Sequence, residues 1–267
     1  MRQVVIAMTK GIMIAGYGTR KGNLEEILER QAARMRARGI ANVYIGYFRV
    51  SSPSIPEALE QMAADGVDDV LVMPYYIAEG RLTYELIPGK LGISGNVGTV
   101  DVKGKNVKVR MAPAFGNNPV LADIVCDRVA DAGGDFDDGV MVIGHGSRDS
   151  VSSNKDIMEM NADRLRRRGF KNVAYTFNEF CEPTIADAVG SLAAAGVDRI
   201  IAVPLFVAMG LHLGEEVPEQ IGIPAYSQGG EITAGGRKIE VRYTRPVEDD
   251  ARLLETMVAG AKNFYGM

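Results

Sequence analysis

Cysteine is scarce in this chain: Cys126 and Cys181 are the only two in 267 residues. They lie too far apart for a C-x-x-C redox or zinc motif, and a chain of this length needs no disulfide staple, so both are expected as free thiols. Long apolar runs are missing too. Stretches such as Val70 to Met73 and Ile200 to Val203 stop far short of the roughly 18 residues that a membrane-spanning helix needs, which argues against a membrane protein. A short apolar stretch near the N-terminus, Val4 to Met8, is followed by Lys10 and a second apolar run without a small-residue cleavage site. No secretory signal is expected, and the expected location is the cytoplasm. Excess basic charge is absent as well: a net charge of −4 and a pI near 5.4 argue against a nucleic-acid binder, for which a pI above about 9 would be looked for. With 46% hydrophobic and 24% charged residues, what remains is a globular chain with room for one large domain or two smaller ones.

The chain is a duplication. A shift of 130 places aligns residues 36–93 with 166–223 without a gap, and 20 of the 58 pairs are identical. Pro53, Gly66, Pro74, Gly80, Glu85 and Pro88 fall on Pro183, Gly196, Pro204, Gly210, Glu215 and Pro218. A shift of 128 lays the segment from Gly11 to Arg20 on that from Gly139 to Arg148. A period this long means two copies of a domain, not a solenoid with repeats of about 20–50 residues. The copies are expected at residues 1–134 and 135–267. The first holds 16 Lys and Arg against 14 Asp and Glu and the second 14 against 20, so the halves carry +2 and −6.

Within each copy, short β-branched runs alternate with longer stretches of helical periodicity, the pattern of βαβ units. In the second copy this predicts strands near 139–143, 172–177, 198–203 and 238–243, with helices near 153–168, 184–195, 215–221 and 248–264. Met158, Ala162 and Leu165 give the first of these helices one apolar stripe, as Leu24, Ile27, Leu28 and Met35 do in copy one. Gly169 and Gly196 stand where helices must stop. Right-handed crossovers then predict an α/β fold of two tandem doubly wound domains, each a four-stranded parallel sheet of order 2-1-3-4 flanked by helices. Ligands bind where such a sheet reverses its strand order, beyond the carboxyl ends of strands 1 and 3.

Both histidines of the chain converge on that point in the second copy. His145 follows strand 1 in Gly144-His145-Gly146-Ser147-Arg148, and His212 ends the loop predicted after strand 3. Strand 2 ends beside them at Glu179-Phe180-Cys181-Glu182-Pro183. Imidazole with carboxylate suits a divalent ion of the Fe, Co, Ni or Zn range, and neutral histidine can both ligate and accept a proton. A single buried histidine more often makes a structural hydrogen bond, but copy one serves as an internal control. There His145, His212, Glu179 and Glu182 correspond to Tyr17, Leu82, Arg49 and Ser52, while the glycine and proline frame is retained. One half is therefore expected to hold the site and the other to lack it. Ser147 is expected as a helix N-cap, Cys181 as a small filler, and Arg148 and Arg20 either as partners of local carboxylates or as holders of an acidic ligand. A nucleotide-dependent oxidoreductase is disfavoured, because Gly16, Gly18 and Gly22 do not form G-x-G-x-x-G, Asp149 and Ser150 replace the third glycine in copy two, and no Walker A sequence occurs.

Taken in order, Gly-His-Gly-Ser-Arg, Phe-x-Glu-x-x-Glu-Pro and Val-Pro-Leu-Phe-x-x-x-Gly-x-His, with Glu216-Val217-Pro218 after them, resemble the class II tetrapyrrole chelatases of the sirohydrochlorin cobaltochelatase type, in their long two-domain form. That family often has an acidic residue just before the last proline; here Val217 stands there, with Glu215 and Glu216 before it. The resemblance implies a chelatase-like fold and a lyase that inserts Co²⁺, Ni²⁺ or Fe²⁺ into sirohydrochlorin or a close relative, in cobalamin, siroheme or F430-type biosynthesis. The metal is then a substrate, with no permanently bound cofactor. It also implies that His145 and His212 bind the metal, that one of them accepts pyrrole protons, and that Glu179 completes the site. Ser147, Arg148, Arg20, Arg81 and Glu182 are candidates for substrate contact, the basic first half meeting the carboxylates of the ring. The fused copies suggest a monomer, with a homodimer as the alternative. A non-catalytic carrier of tetrapyrrole or metal on the same fold is the rival reading, since fold alone does not decide function.

Overall fold

The computed structural model describes residues 8–149 and 152–267. Ser150 and most of the N-terminal apolar stretch lie outside the described residues. The first repeat runs β1 (Lys10–Gly16), α1 (Leu24–Ala37), β2 (Val43–Tyr47), α2 (Ile55–Ala64), β3 (Asp69–Pro74), α3 (Ile87–Lys90), β4 (Val97–Val102), β5 (Lys105–Met111) and α4 (Val120–Asp131). The second runs β6 (Gly139–Gly144), α5 (Asn154–Arg167), β7 (Asn172–Phe177), α6 (Ile185–Ala194), β8 (Arg199–Pro204), α7 (Val217–Ile221), β9 (Gly229–Ala234), β10 (Arg237–Tyr243) and α8 (Ala251–Tyr265).

Each repeat forms a five-stranded mixed sheet, β2-β1-β3-β5-β4 and β7-β6-β8-β10-β9. The order 2-1-3-4 holds for the four parallel strands, but β4 and β9 add an antiparallel edge strand that periodicity did not predict. Both are hairpin partners, closed by Lys103-Gly104 and Gly235-Gly236, whose φ values of 53°, 86°, 58° and 75° are all left-handed. Type I′ hairpin turns require such values at both central residues. The central strands β1 and β6 are buried almost throughout, as parallel strands covered on both faces must be. Local chemistry starts the helices: Ser54 with Glu57 and Thr184 with Asp187 form reciprocal capping boxes on α2 and α6. No helix of the described residues is long and apolar enough to cross a membrane.

The two sheets share one core. Ile12 and Ile14 of β1, Val140 and Val142 of β6, Ile124 and Val125 of α4, and Leu253 and Val258 of α8 belong to a single buried cluster. Each repeat gives its last helix to the other: α8 lies against α1 and β3, and α4 against α5 and β8. Polar contacts follow the exchange. Asp249 accepts from Arg30 and Arg34 at 2.9 Å, Arg38 pairs with Glu255 at 2.6 Å, and the Tyr265 hydroxyl donates to the Ala41 carbonyl at 2.6 Å. The outer faces of the sheets carry separate clusters under α2 and α3 and under α6 and α7.

A pseudo-two-fold axis relates the halves at their strand-end loops. The Met209 amide donates to Asn23 Oδ1 at 2.9 Å, and the Glu79 amide donates to Ser153 Oγ at 3.0 Å. In the 130-place alignment these are the same contact made twice, Glu79 matching Met209 and Asn23 matching Ser153. Gly22 bridges Gly210, two residues before His212. The loops beyond the carboxyl ends of the strands thus meet along one seam.

Candidate metal centre

Strand pairing carries on past β6 and β7 and sets His145 beside Glu179. Asn178 N donates to Gly144 O at 2.9 Å and Glu179 N donates to His145 O at 3.0 Å, so the two side chains leave from adjacent backbone. Gly146 makes the approach possible. Its φ is +92°, and a Cβ there would stand 1.7 Å from the Glu179 carbonyl oxygen. The first repeat has the same frame, with Gly18 at φ +91° and a Cβ position 1.9 Å from the Arg49 carbonyl oxygen. Phe180 and its counterpart Val50 both sit in the left-handed region, at φ 62° and 70°. For a β-branched residue such as Val50 that is strained backbone, held by the surrounding fold.

His212 arrives on a different element from the loop expected for it. A π-helical turn, His212–Glu216, leads directly into α7, and Leu82–Leu86 does the same before α3. The helix therefore begins three residues earlier than the periodicity of 215–221 indicated, because π hydrogen bonding accommodates the extra residue. Since Leu82 has the same π turn, the turn belongs to the fold and the histidine alone to the site.

His145, Glu179 and His212 come together: one ligand atom from each lies within 4.8 Å of the others. The imidazole rings are 5.1 Å apart, edge to face at 82°. His145 Nδ1 is 3.1 Å from the Gly146 carbonyl, which can only accept, so Nδ1 carries the proton and Nε2 keeps its lone pair. His212 Nδ1 lies 2.6 Å from Glu216 Oε2 and 3.5 Å from Glu179 Oε1. The shorter contact decides the tautomer: Nδ1–H donates to Glu216, and Nε2 is left as a donor to metal or an acceptor of a proton. Asn178 Nδ2 also approaches His212 Nδ1, at 3.4 Å, but a protonated Nδ1 cannot accept from it.

Behind this contact stands a relay absent from the sequence reading. Gln220 Nε2 donates to Asn178 Oδ1 at 2.9 Å, which turns the Asn178 amide nitrogen toward Glu216 Oε2 at 3.5 Å. Asn178 is buried. The hydrogen bond from His212 holds the Glu216 carboxyl below the ordinary glutamate range, against partial burial, with the Asn178 amide adding to it. Glu216 stands four residues after His212, so the spacing was legible although its role was not. Glu215 points its charge elsewhere, accepting from the Tyr226 hydroxyl at 2.6 Å.

The remaining candidates separate. Ser147 does not cap a helix: α5 begins after Ser153, and Ser147 Oγ instead accepts from the Asp149 amide at 3.1 Å in a local turn. Cys181 ties two loops together, with Sγ 3.3 Å from the Ser147 amide and 3.2 Å from its carbonyl. Arg148 lies over the exposed Phe180 ring at 4.4 Å, and Glu182 is exposed outside the three-residue cluster. Arg20 is exposed in the first-half loop after β1. Arg81 is engaged within its own helical turn, 3.1 Å from Glu85. Both cysteines are free, and burial pushes the Cys126 thiol up.

Two imidazoles and a carboxylate form a partly open donor set. Ligands about 2.1 Å from a tetrahedral ion stand about 3.4 Å apart, a spacing that small side-chain rotations reach, and three protein donors leave positions free for incoming nitrogen ligands. With this geometry in place, the CbiX family model matches residues 11–132 and again 139–263.

The chain belongs to the CbiX family. Among relatives of this CbiX-family chain, it is 30% identical to the sirohydrochlorin cobaltochelatase of Methanopyrus kandleri over 140 residues, 48% of this chain and 96% of that one. It is 34% identical to the enzyme of the same name from Methanococcoides burtonii over 110 residues, 41% of this chain and 82% of that one. SirB from Bacillus subtilis, solved with Fe³⁺, shares the fold at a TM-score of 0.73 and 17% identity, over 97% of this chain and 98% of that one. These are what the CbiX-family chain is similar to: two half-length sequences and one full-length fold.

Proposed function

We propose that this CbiX-family chain is a metal chelatase that inserts a divalent ion, Co²⁺ first among Co²⁺, Ni²⁺ and Fe²⁺, into sirohydrochlorin. The observation that carries the reading is the convergence of His145, Glu179 and His212 on one strand-order reversal, each histidine with its Nδ1–H already engaged. The family membership and the names of the half-length relatives support the same reaction.

Insertion exchanges two pyrrole N–H protons for one M²⁺, so the site must deliver a partly dehydrated ion and take up protons near neutral pH. Carboxylates at Glu179 and Glu216 draw the cation in, and the two Nε2 atoms hold it loosely enough to pass to ring nitrogens. As the ion leaves, an imidazole Nε2 becomes available to accept a pyrrole proton. The Glu216 carboxylate stabilises the imidazolium that forms on His212. Ser147, Arg148, Arg20, Arg81 and Glu182 remain candidates for contact with the substrate, Arg81 least so because Glu85 engages it. The two repeats, residues 1–134 and 135–267, divide the labour, the second holding the metal, and the exchange of helices between them supports a monomer.

The test is anaerobic turnover. Protein, sirohydrochlorin and each metal in turn are followed by absorbance. Repeated turnovers faster than in buffer establish the chelatase and rank the metals; stoichiometric pigment binding without acceleration replaces it by a carrier.

A further inference from the structure

The first repeat has the frame of the candidate metal site with the opposite charge. Arg49 stands where Glu179 stands, at the backbone position that Gly18 presses against, and Tyr17 and Leu82 replace the histidines. Around the buried Phe48 ring gather Tyr17 at 5.7 Å, the Arg49 guanidinium at 5.4 Å and the Lys90 ammonium at 5.1 Å. Among the described residues no carboxylate pairs with Arg49 or Lys90. The nearby acids are engaged: Glu25 accepts from Ser51 and from the Thr19 amide, Glu79 from Tyr84 and the Ala114 amide, and Glu85 from Arg81. Two like charges close to one ring, with no carboxylate paired to either, leave this corner of the first repeat attractive to an anion. The pseudo-two-fold seam carries this cluster and the metal site on facing strand-end loops, since Gly22 meets Gly210 and Gly80 stands against Ser152.

We infer that Arg49, with Lys90, is a carboxylate-recognition site for the macrocycle, and that this corner of the first repeat orients the ring for the metal site of the second. The inference rests on the chelatase reading for its ligand, a ring with several carboxylates on its rim. Phe48 holds the guanidinium in place by cation–π contact and leaves its edge for a bidentate carboxylate. The same charge keeps a divalent cation out of the first half, so that one site per chain loads.

The experiment uses the full chain without metal, titrated with a free-base octacarboxylate porphyrin and, in parallel, a dicarboxylate porphyrin, followed by absorbance or fluorescence quenching. Arg49→Ala is expected to weaken the octacarboxylate ring about three- to tenfold and the dicarboxylate ring far less, with Arg49→Glu worse and Arg49→Lys partly restored. Lys262→Ala removes an exposed charge on α8 and controls for net charge; it is expected to bind both rings as the parent does. Equal loss for both rings, no loss in Arg49→Ala, or no binding by the parent overturns the inference. If the parent binds the octacarboxylate ring through Arg49 but never metallates sirohydrochlorin, the chelatase reading fails and the recognition site stands. If metallation proceeds and Arg49→Ala binds both rings unchanged, the reverse holds.

Discussion

Gly146→Ala is the sharpest test of how the loop frame builds the metal site. Its Cβ would sit 1.7 Å from the Glu179 carbonyl oxygen, whereas ordinary contact begins near 3.4 Å. The two loops must then part by about 1.5 Å, and a left-handed non-glycine residue adds about 1–2 kcal/mol. With the hydrogen bond from Glu179 N to His145 O strained as well, a total of about 3 kcal/mol is expected, lowering Tm by about 6–10 °C in a chain of this size. The separation falls on two of the three proposed metal donors. Because about 1 Å of misplacement can remove about 100-fold in rate, cobalt insertion is expected to fall by that order and Co²⁺ affinity with it. Gly18→Ala is the internal control: a Cβ 1.9 Å from the Arg49 carbonyl oxygen gives a similar fall in Tm, but Co²⁺ affinity stays at the parent value. Thermal unfolding and anaerobic Co²⁺ titration read both variants. Parent-like Tm and Co²⁺ affinity in Gly146→Ala, or equal loss of Co²⁺ affinity in both, would refute the reasoning.

Three further outcomes follow from the geometry. Glu216→Gln removes the charged acceptor of the His212 Nδ1–H and is expected to weaken Co²⁺ binding about tenfold with little change in Tm, the side chain being 47% exposed; unchanged Co²⁺ affinity would assign Glu216 no part in the site. At Asp249, burial is outweighed by the hydrogen bond from Arg30 and the charges of Arg30 and Arg34, so its carboxyl lies below the usual range. A depressed carboxyl stabilises the fold above its unfolded value of about 3.9 and loses that contribution as pH falls below it. Asp249→Asn should therefore cost about 1–2 kcal/mol at pH 7 in denaturant unfolding, the difference closing under acid; a deficit that persists in acid argues against the ion pairs. Residues 135–267 alone lack α4 and leave α8 without its partners, so circular dichroism and gel filtration are expected to find no cooperatively folded monomer, whereas a stable monomeric half would contradict the helix exchange.

The central parallel strands β1, β3, β6 and β8 were legible because they are buried almost throughout and read as nearly unbroken apolar runs, as in Gly139–Gly144. The edge strands were not. Gly229–Ala234 buries only Ile232 and has no apolar run, and its best signal was the Gly235-Gly236 pair that follows it, a hairpin mark that does not stand out in a chain with 31 glycines. The helix exchange was invisible for a different reason. An amphipathic stripe such as Leu253, Leu254, Met257 and Val258 records that a face is buried, not which sheet buries it. At the candidate site, the meeting of His145, Glu179 and His212 could be read because the strand-order rule gathers strand-end loops and the duplicated copy separates frame from chemistry. Asn178 and Gln220 could not, since an amide acting behind a ligand has no spacing rule of its own; and the Arg81 side chain is taken up by Glu85, a partner one helical turn away.

The central claim is that His145 and His212 together load and release the metal. The measurement that tests it most directly is the initial rate of cobalt insertion into sirohydrochlorin, under anaerobic conditions, for the parent, His145→Ala and His212→Ala, with Co²⁺ stoichiometry taken on the same samples. One Co²⁺ per parent chain and a loss of about 100-fold or more in either variant is the expected result. An insertion rate that survives both substitutions would contradict the account.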